Sequence, residues 1–87
     1  MITILLDGAV LDRTTLHDLF SRELSFPAWY GRNLDALYDC LTDLSEDVEL
    51  HLQNWESWED ARYARNLLRL FYRAAEENPH LHITMMP

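Results

Sequence analysis

Three short runs rich in β-branched and apolar residues stand far apart in this chain: ITILL at 2–6, VELHL at 48–52 and LHITMM at 81–86. The segments between them carry helical periodicity, and this spacing constrains the fold more than any other feature. Strands separated by helices do not close as hairpins. They pair in parallel through crossovers, and such crossovers are right-handed. The first run is apolar without alternation, as expected of a strand covered on both faces, whereas the second alternates apolar and polar residues. Asp7-Gly8 ends the first strand in a turn.

Thr14 or Thr15 can cap a first helix, with Asp18 favourable in its first turn. Leu16, Leu19, Phe20 and Leu24 give that helix its buried face, and Phe26-Pro27 stops it. Asn33 caps a second helix over 34–44. On its wheel Leu34, Leu37, Cys40, Leu41 and Leu44 share an apolar side, while Asp35, Tyr38, Asp39, Thr42 and Glu46 share the wet side. From Asn54 the pattern is helical again. Glu56, Glu59 and Asp60 come early, and Ala64, Leu67, Leu68, Phe71, Ala74 and Ala75 form an apolar stripe, with a break expected near 63–66. Asn78-Pro79 ends it.

The reading is an α/β fold of order β-α-α-β-α(α)-β, a three-stranded parallel sheet packed with three to four helices. Two consecutive helices between the first and second strands leave one free to face a partner. With 87 residues the expectation is a single domain, 1–87, with one modest core. At this size folding buries roughly 60–65% of the chain's surface.

Cys40 is the single cysteine, so no internal disulfide ties the fold to an oxidising compartment. MITILLDG has neither a basic leader nor a small-residue cleavage site and reads as a strand, not a signal peptide. No stretch approaches the ~20 apolar residues of a membrane span. A soluble cytoplasmic protein is expected, monomeric when free, with no cofactor and no metal.

The net charge is −8, and all seven basic residues are arginine. Between Arg32 and Arg62 there is no cation, while Asp35, Asp39, Asp43, Glu46, Asp47, Glu49, Glu56, Glu59 and Asp60 fall there. Part of the surface is therefore strongly negative, which repels nucleic acid and attracts basic proteins.

Several constellations invite chemistry, and each has a plainer reading. Asp35 and Asp39 could act as a general acid/base pair, but they lie on an exposed helix face with no His or Lys in the same segment. His51, His80 and His82 could gather on neighbouring strands, yet histidines without cysteine or a spaced carboxylate make a weak metal signal. Arg62, Arg65, Arg69 and Arg73 form a helical stripe that could meet phosphate. Given the acidic chain, a solvated face paired with neighbouring acids is preferred. Cys40 reads as a small buried hydrophobe. Trp29, Tyr30 and Tyr38 flank the acidic pair like interface anchors, with Tyr30 assigned to the core.

The run Pro27-x-Trp29-Tyr30-Gly31-x-Asn33-Leu34-Asp35-Ala36-Leu37-Tyr38-Asp39-Cys40-Leu41-Thr42, preceded by Glu23-Leu24, resembles the barstar family of intracellular ribonuclease inhibitors. The likeness extends to Asp7-Gly8 and to Ile83-Thr84, and is one of pattern only from about 53 to 70. It implies an inhibitor that plugs the active site of a basic, guanyl-preferring ribonuclease of the barnase type. The alternative is a non-inhibitory binding module, or an immunity protein for another basic partner. By the resemblance, Asp39 stands in for substrate phosphate and Asp35 bonds at the rim. Trp29 and Tyr38 pack on the enzyme, the backbone from Gly31 to Asn33 lines the contact, and Thr42 and Glu46 complete the set. Departures are equally specific. Trp29 and Tyr38 exchange aromatic types, and Asp43 and Leu44 replace a glycine and an aromatic. Phe71-Tyr72-Arg73-Ala74 puts an arginine at a position that is acidic in the family, where Glu76, a turn later, points elsewhere.

Overall fold

The structure, a computed structural model, describes residues 1–86. Its order is β1 (Ile2–Asp7), α1 (Arg13–Glu23), α2 (Leu34–Thr42), β2 (Val48–Gln53), a 3₁₀ turn (Trp55–Ser57), α3 (Ala61–Glu77) and β3 (Leu81–Met85). The sheet runs β1-β2-β3, all parallel, with Ile4 opposite Leu50 and Leu50 opposite Ile83. The expected α/β architecture, with two helices before β2, is the one observed.

β1 departs from expectation. Ile4 and Leu6 are buried, but Leu5 is 54% exposed. The strand order is sequential and both crossovers share one hand, so both fall on the same face of the sheet. The helices then cover the face carrying Ile4, Leu6, Val48, Leu50, Leu52 and Leu81, and leave the opposite one open. Leu16 and Phe20 of α1, Leu37 and Leu41 of α2, and Leu67, Phe71 and Ala74 of α3 complete the core.

Helix boundaries shift for identifiable reasons. Asp12, not Thr14 or Thr15, caps α1, accepting from the Thr15 N–H at 2.8 Å. Asp18 lies beyond the first turn and pairs with Arg32 instead. α2 stops at Thr42, so Leu44 and Glu46 follow the helix. Buried Asn78 ties down this end: its amide donates to the carbonyl of Leu41 in the last turn and to that of Leu44 in the following loop, at 2.9 and 3.0 Å. The break expected near 63–66 lies at 58–60 instead, where Asp60 caps α3 through the Tyr63 N–H. Trp55 and Trp58 pack edge-on there, 5.4 Å between ring centroids. Gly8 lies against this turn and admits no side chain, since a Cβ on it would stand 2.3 Å from the Asn54 carbonyl oxygen and 2.6 Å from the Trp58 ring.

Candidate functional site

The loop from 24 to 33, which delivers the chain into α2, is clamped from within. Phe26 stacks on Phe20 with centroids 6.3 Å apart and meets Tyr30 edge-on at 4.9 Å. Tyr30 is buried, as the sequence suggested. Its hydroxyl lies 2.5 Å from Nδ1 of His17, while Nε2 of the same ring lies 3.0 Å from the Tyr63 hydroxyl. A neutral imidazole donates at one nitrogen and accepts at the other, so one tyrosine accepts and the other donates. Burial pushes His17 below its ordinary pKa, and the nearby Arg32 charge acts the same way. Burial pushes both tyrosines up.

Arg32 has φ 55°, a left-handed conformation that costs a side-chain-bearing residue about 1–2 kcal/mol. It is held by a 2.5 Å ion pair to Asp18 and a 3.3 Å bond donated to the Thr14 carbonyl. With Tyr30 turned inward, its neighbour Trp29 faces solvent and is 82% exposed. Asn33 does two things: its Oδ1 accepts from the Ala36 N–H at 2.8 Å, and its amide donates to the Gly31 carbonyl at 3.3 Å. A Cβ at Gly31 would press within 3.0 Å of that amide.

α2 then presents Asp35 and Asp39 one turn apart and exposed. Asp7, Asp12, Asp18, Asp47, Glu49 and Asp60 all bond within the chain. Among the described residues, the carboxylates of Asp35 and Asp39 have no such partner. Like charges at this spacing cost a helix about 0.2–0.5 kcal/mol, which an arriving cation would relieve. Thr42 spends its hydroxyl on the carbonyls of Tyr38 and Asp39, at 3.0 and 3.1 Å.

Asp39 borders two concavities. One, of about 670 Å³, has half-buried Leu24, Phe26, Cys40 and Leu44 in its lining, with exposed Glu23, Asp43, Glu46 and Trp29 beside them. The other, of about 580 Å³, sets Asp35, Tyr38 and Asp39 of α2 against Asn66, Arg69 and Arg73 of α3. Cys40 is half-buried, a correction to the expected buried hydrophobe. Burial pushes its thiol up, and the charges of Asp39 and Asp43 reinforce the shift, so it is a poor nucleophile.

Of the expected site residues, Trp29, Thr42 and Glu46 share the first concavity with Asp39, and Asp35 and Tyr38 share the second, while Gly31 and Asn33 line neither. Glu46 reaches the first groove from the loop after α2 rather than from the helix. The arginines of α3 are solvated, as expected, but not paired: among the described residues none of Arg62, Arg65, Arg69 and Arg73 has a carboxylate within ion-pairing distance. Arg73 instead lies over Tyr38, 5.1 Å from the ring centroid. The strand histidines pair with carboxylates. His80 precedes β3 and meets Asp47 at 2.9 Å, while His51 meets Glu49 at 3.2 Å. Among the described residues, no cluster of three metal-ligating side chains forms. No described helix is long and apolar enough to cross a membrane. The residue that sequence reasoning passed over is His17. Its position three before Phe20 and seven before Leu24, on the buried face, was the available signal.

A sequence model of the family described as Barstar (barnase inhibitor) matches residues 1–85. The chain is also similar to a protein of Bacillus subtilis (strain 168) named "Putative ribonuclease inhibitor YrdF". The two are 40% identical over 78 residues, which cover 85% of this chain and 86% of that one.

Proposed function

Because the chain belongs to the barstar family, we propose that it inhibits a basic, guanyl-preferring ribonuclease of the barnase type, blocking the active site one-to-one. The family consists of inhibitors and not of enzymes, so Asp35 and Asp39 serve as contacts rather than as a hydrolytic pair. The observation that carries the reading is Asp39 itself: exposed, unpaired, and bordering both concavities.

In this reading Asp39 enters the nuclease's basic pocket and occupies the place of a substrate phosphate, while Asp35 accepts hydrogen bonds at the rim. Trp29 supplies the aromatic anchor, since a large exposed ring beside charge gives area at little entropic loss. Tyr38 packs beside it. Gly31 and Asn33 hold the loop backbone against the enzyme, and Thr42 and Glu46 border the contact. Such an inhibitor would act in the cytoplasm as a monomer, neutralising the cell's own nuclease or a competitor's toxin.

The test is a titration of a barnase-type ribonuclease with this protein and with its Asp39→Ala variant. A sharp equimolar endpoint is expected for the wild type. The variant should bind weaker by about 2–5 kcal/mol, a range that complexes of this family helped to define. Full nuclease activity at micromolar protein with both forms would move the function to a different basic partner.

A further inference from the structure

The cleft between α2 and α3 is walled by opposite charges that do not neutralise each other. Asn66, Arg69 and Arg73 recur at helical spacing along one face of α3, and Asp35, Tyr38 and Asp39 face them across about 580 Å³. Arg69 and Arg73 are exposed, and neither forms an ion pair with the acids that share the cleft. Arg73 rests over the Tyr38 ring, 5.1 Å from its centroid, which sets a guanidinium beside the expected contact surface. In the free protein water solvates all four charges. A partner covering the cleft removes that water, and a desolvated charge without a counterpart opposes binding. A partner bringing only cations would satisfy α2 and leave α3 opposed.

We propose that this cleft selects a ribonuclease whose rim carries a carboxylate facing Arg69 and Arg73, beside the basic pocket that receives Asp39. The inference rests on the inhibitor reading above and adds its specificity. Arginine suits the role, because its planar fork takes a carboxylate bidentately. Nucleases that are basic across the whole contact are disfavoured, since like charges brought together across an interface suppress wrong partners. A phosphate group meets Asp35 and Asp39 in the same cleft and is a poorer occupant than a surface of mixed charge.

The experiment uses a barnase-type ribonuclease in which each cation around the active site is replaced in turn by glutamate. Inhibition of the whole set is measured with wild type, with Arg69→Glu/Arg73→Glu and with Asp39→Ala. For wild type, at least one glutamate-bearing nuclease should bind roughly tenfold tighter than its parent. The double variant should reverse that preference. Arg62→Glu/Arg65→Glu makes the same change in net charge outside the cleft and should keep the wild-type ranking, as should Arg69→Lys/Arg73→Lys. If wild type and Arg69→Glu/Arg73→Glu rank the nucleases alike, the arginines are bystanders and the proposal is overturned while the inhibitor reading stands. If wild type inhibits none of the set, the inhibitor reading fails and the proposal falls with it. If Asp39→Ala inhibits as well as wild type, inhibition stands but Asp39 does not fill the pocket, and the proposal, which sets the carboxylate beside that pocket, is overturned.

Discussion

His17 shows how one side chain can tie chemistry on the surface to the core. It is 4% exposed and bridges Tyr30 of the loop to Tyr63 of α3, so the backbone that carries Trp29 is pinned from inside. Burial lowers its pKa in the folded state, whereas in the unfolded chain it titrates near 6.5. Below that value the unfolded chain binds more protons than the folded one. The stabilising contribution is therefore complete above about pH 6.5 and is lost as the pH falls towards the folded-state value. The carboxylates held low by hydrogen bonds, such as Asp47 beside His80 and Asp60 beside the Tyr63 N–H, lose their contributions only further down, through the carboxylate range near pH 4. The urea midpoint of the wild type should thus decline between pH 7.5 and 5.0. His17→Gln, less stable throughout, should show a nearly flat midpoint over the same interval. An undiminished slope in that variant would assign the decline to other groups.

α2 owes its placement to residues just outside it. Asn33 caps the helix through Oδ1 and clamps the Gly31 carbonyl through its amide, two roles that separate by substitution. Asn33→Ser keeps a capping oxygen and should unfold within a few tenths of a kcal/mol of wild type. Asn33→Ala should lose about 1 kcal/mol. Both lose the bond to Gly31, and both should weaken nuclease binding about three- to tenfold, the worth of one net hydrogen bond. Equal, undiminished binding by Asn33→Ser would remove Gly31 from the contact. Elements of this kind were legible in the sequence where one residue type has few alternatives: an Asn before an amphipathic run, an Asn-Pro after one. They were not legible where several capping residues compete. Asp12 precedes Thr14 and Thr15, and aspartate, the stronger capping residue, takes the cap. The break in the third helical segment was also misplaced, because Trp55 and Trp58 turn inward through tertiary contacts that no local pattern carries. The acids of α2 could be read from the sequence because their spacing is local. The two cleft walls could not, because Arg69 and Asp39 come to line one cleft only once α3 has packed against α2.

At the scale of the whole molecule the governing fact is one-sidedness. The strand order β1-β2-β3 and a single crossover hand place all three helices on one face of the sheet, so Leu5 and Leu6, adjacent in sequence, meet opposite environments. An apolar run alone suggested coverage on both faces. Topology decides otherwise, and Thr3, Leu5, His82 and Thr84 stand exposed on the far side with Glu49, His51 and Gln53 only partly covered. The proposed contact residues lie on α2 and its loops, which pack on the covered side, so changes on the open face should leave them undisturbed. Leu6→Ala should cost about 3 kcal/mol, as buried leucine truncations do, and lower the melting temperature by about 12 °C or more. Leu5→Thr should stay within about 0.5 kcal/mol of wild type and inhibit the nuclease unchanged. Comparable losses from both would mean that the open face is covered in solution, by a second copy of this chain or by another partner. Sedimentation of the wild type across a concentration series would then tell those two occupants apart.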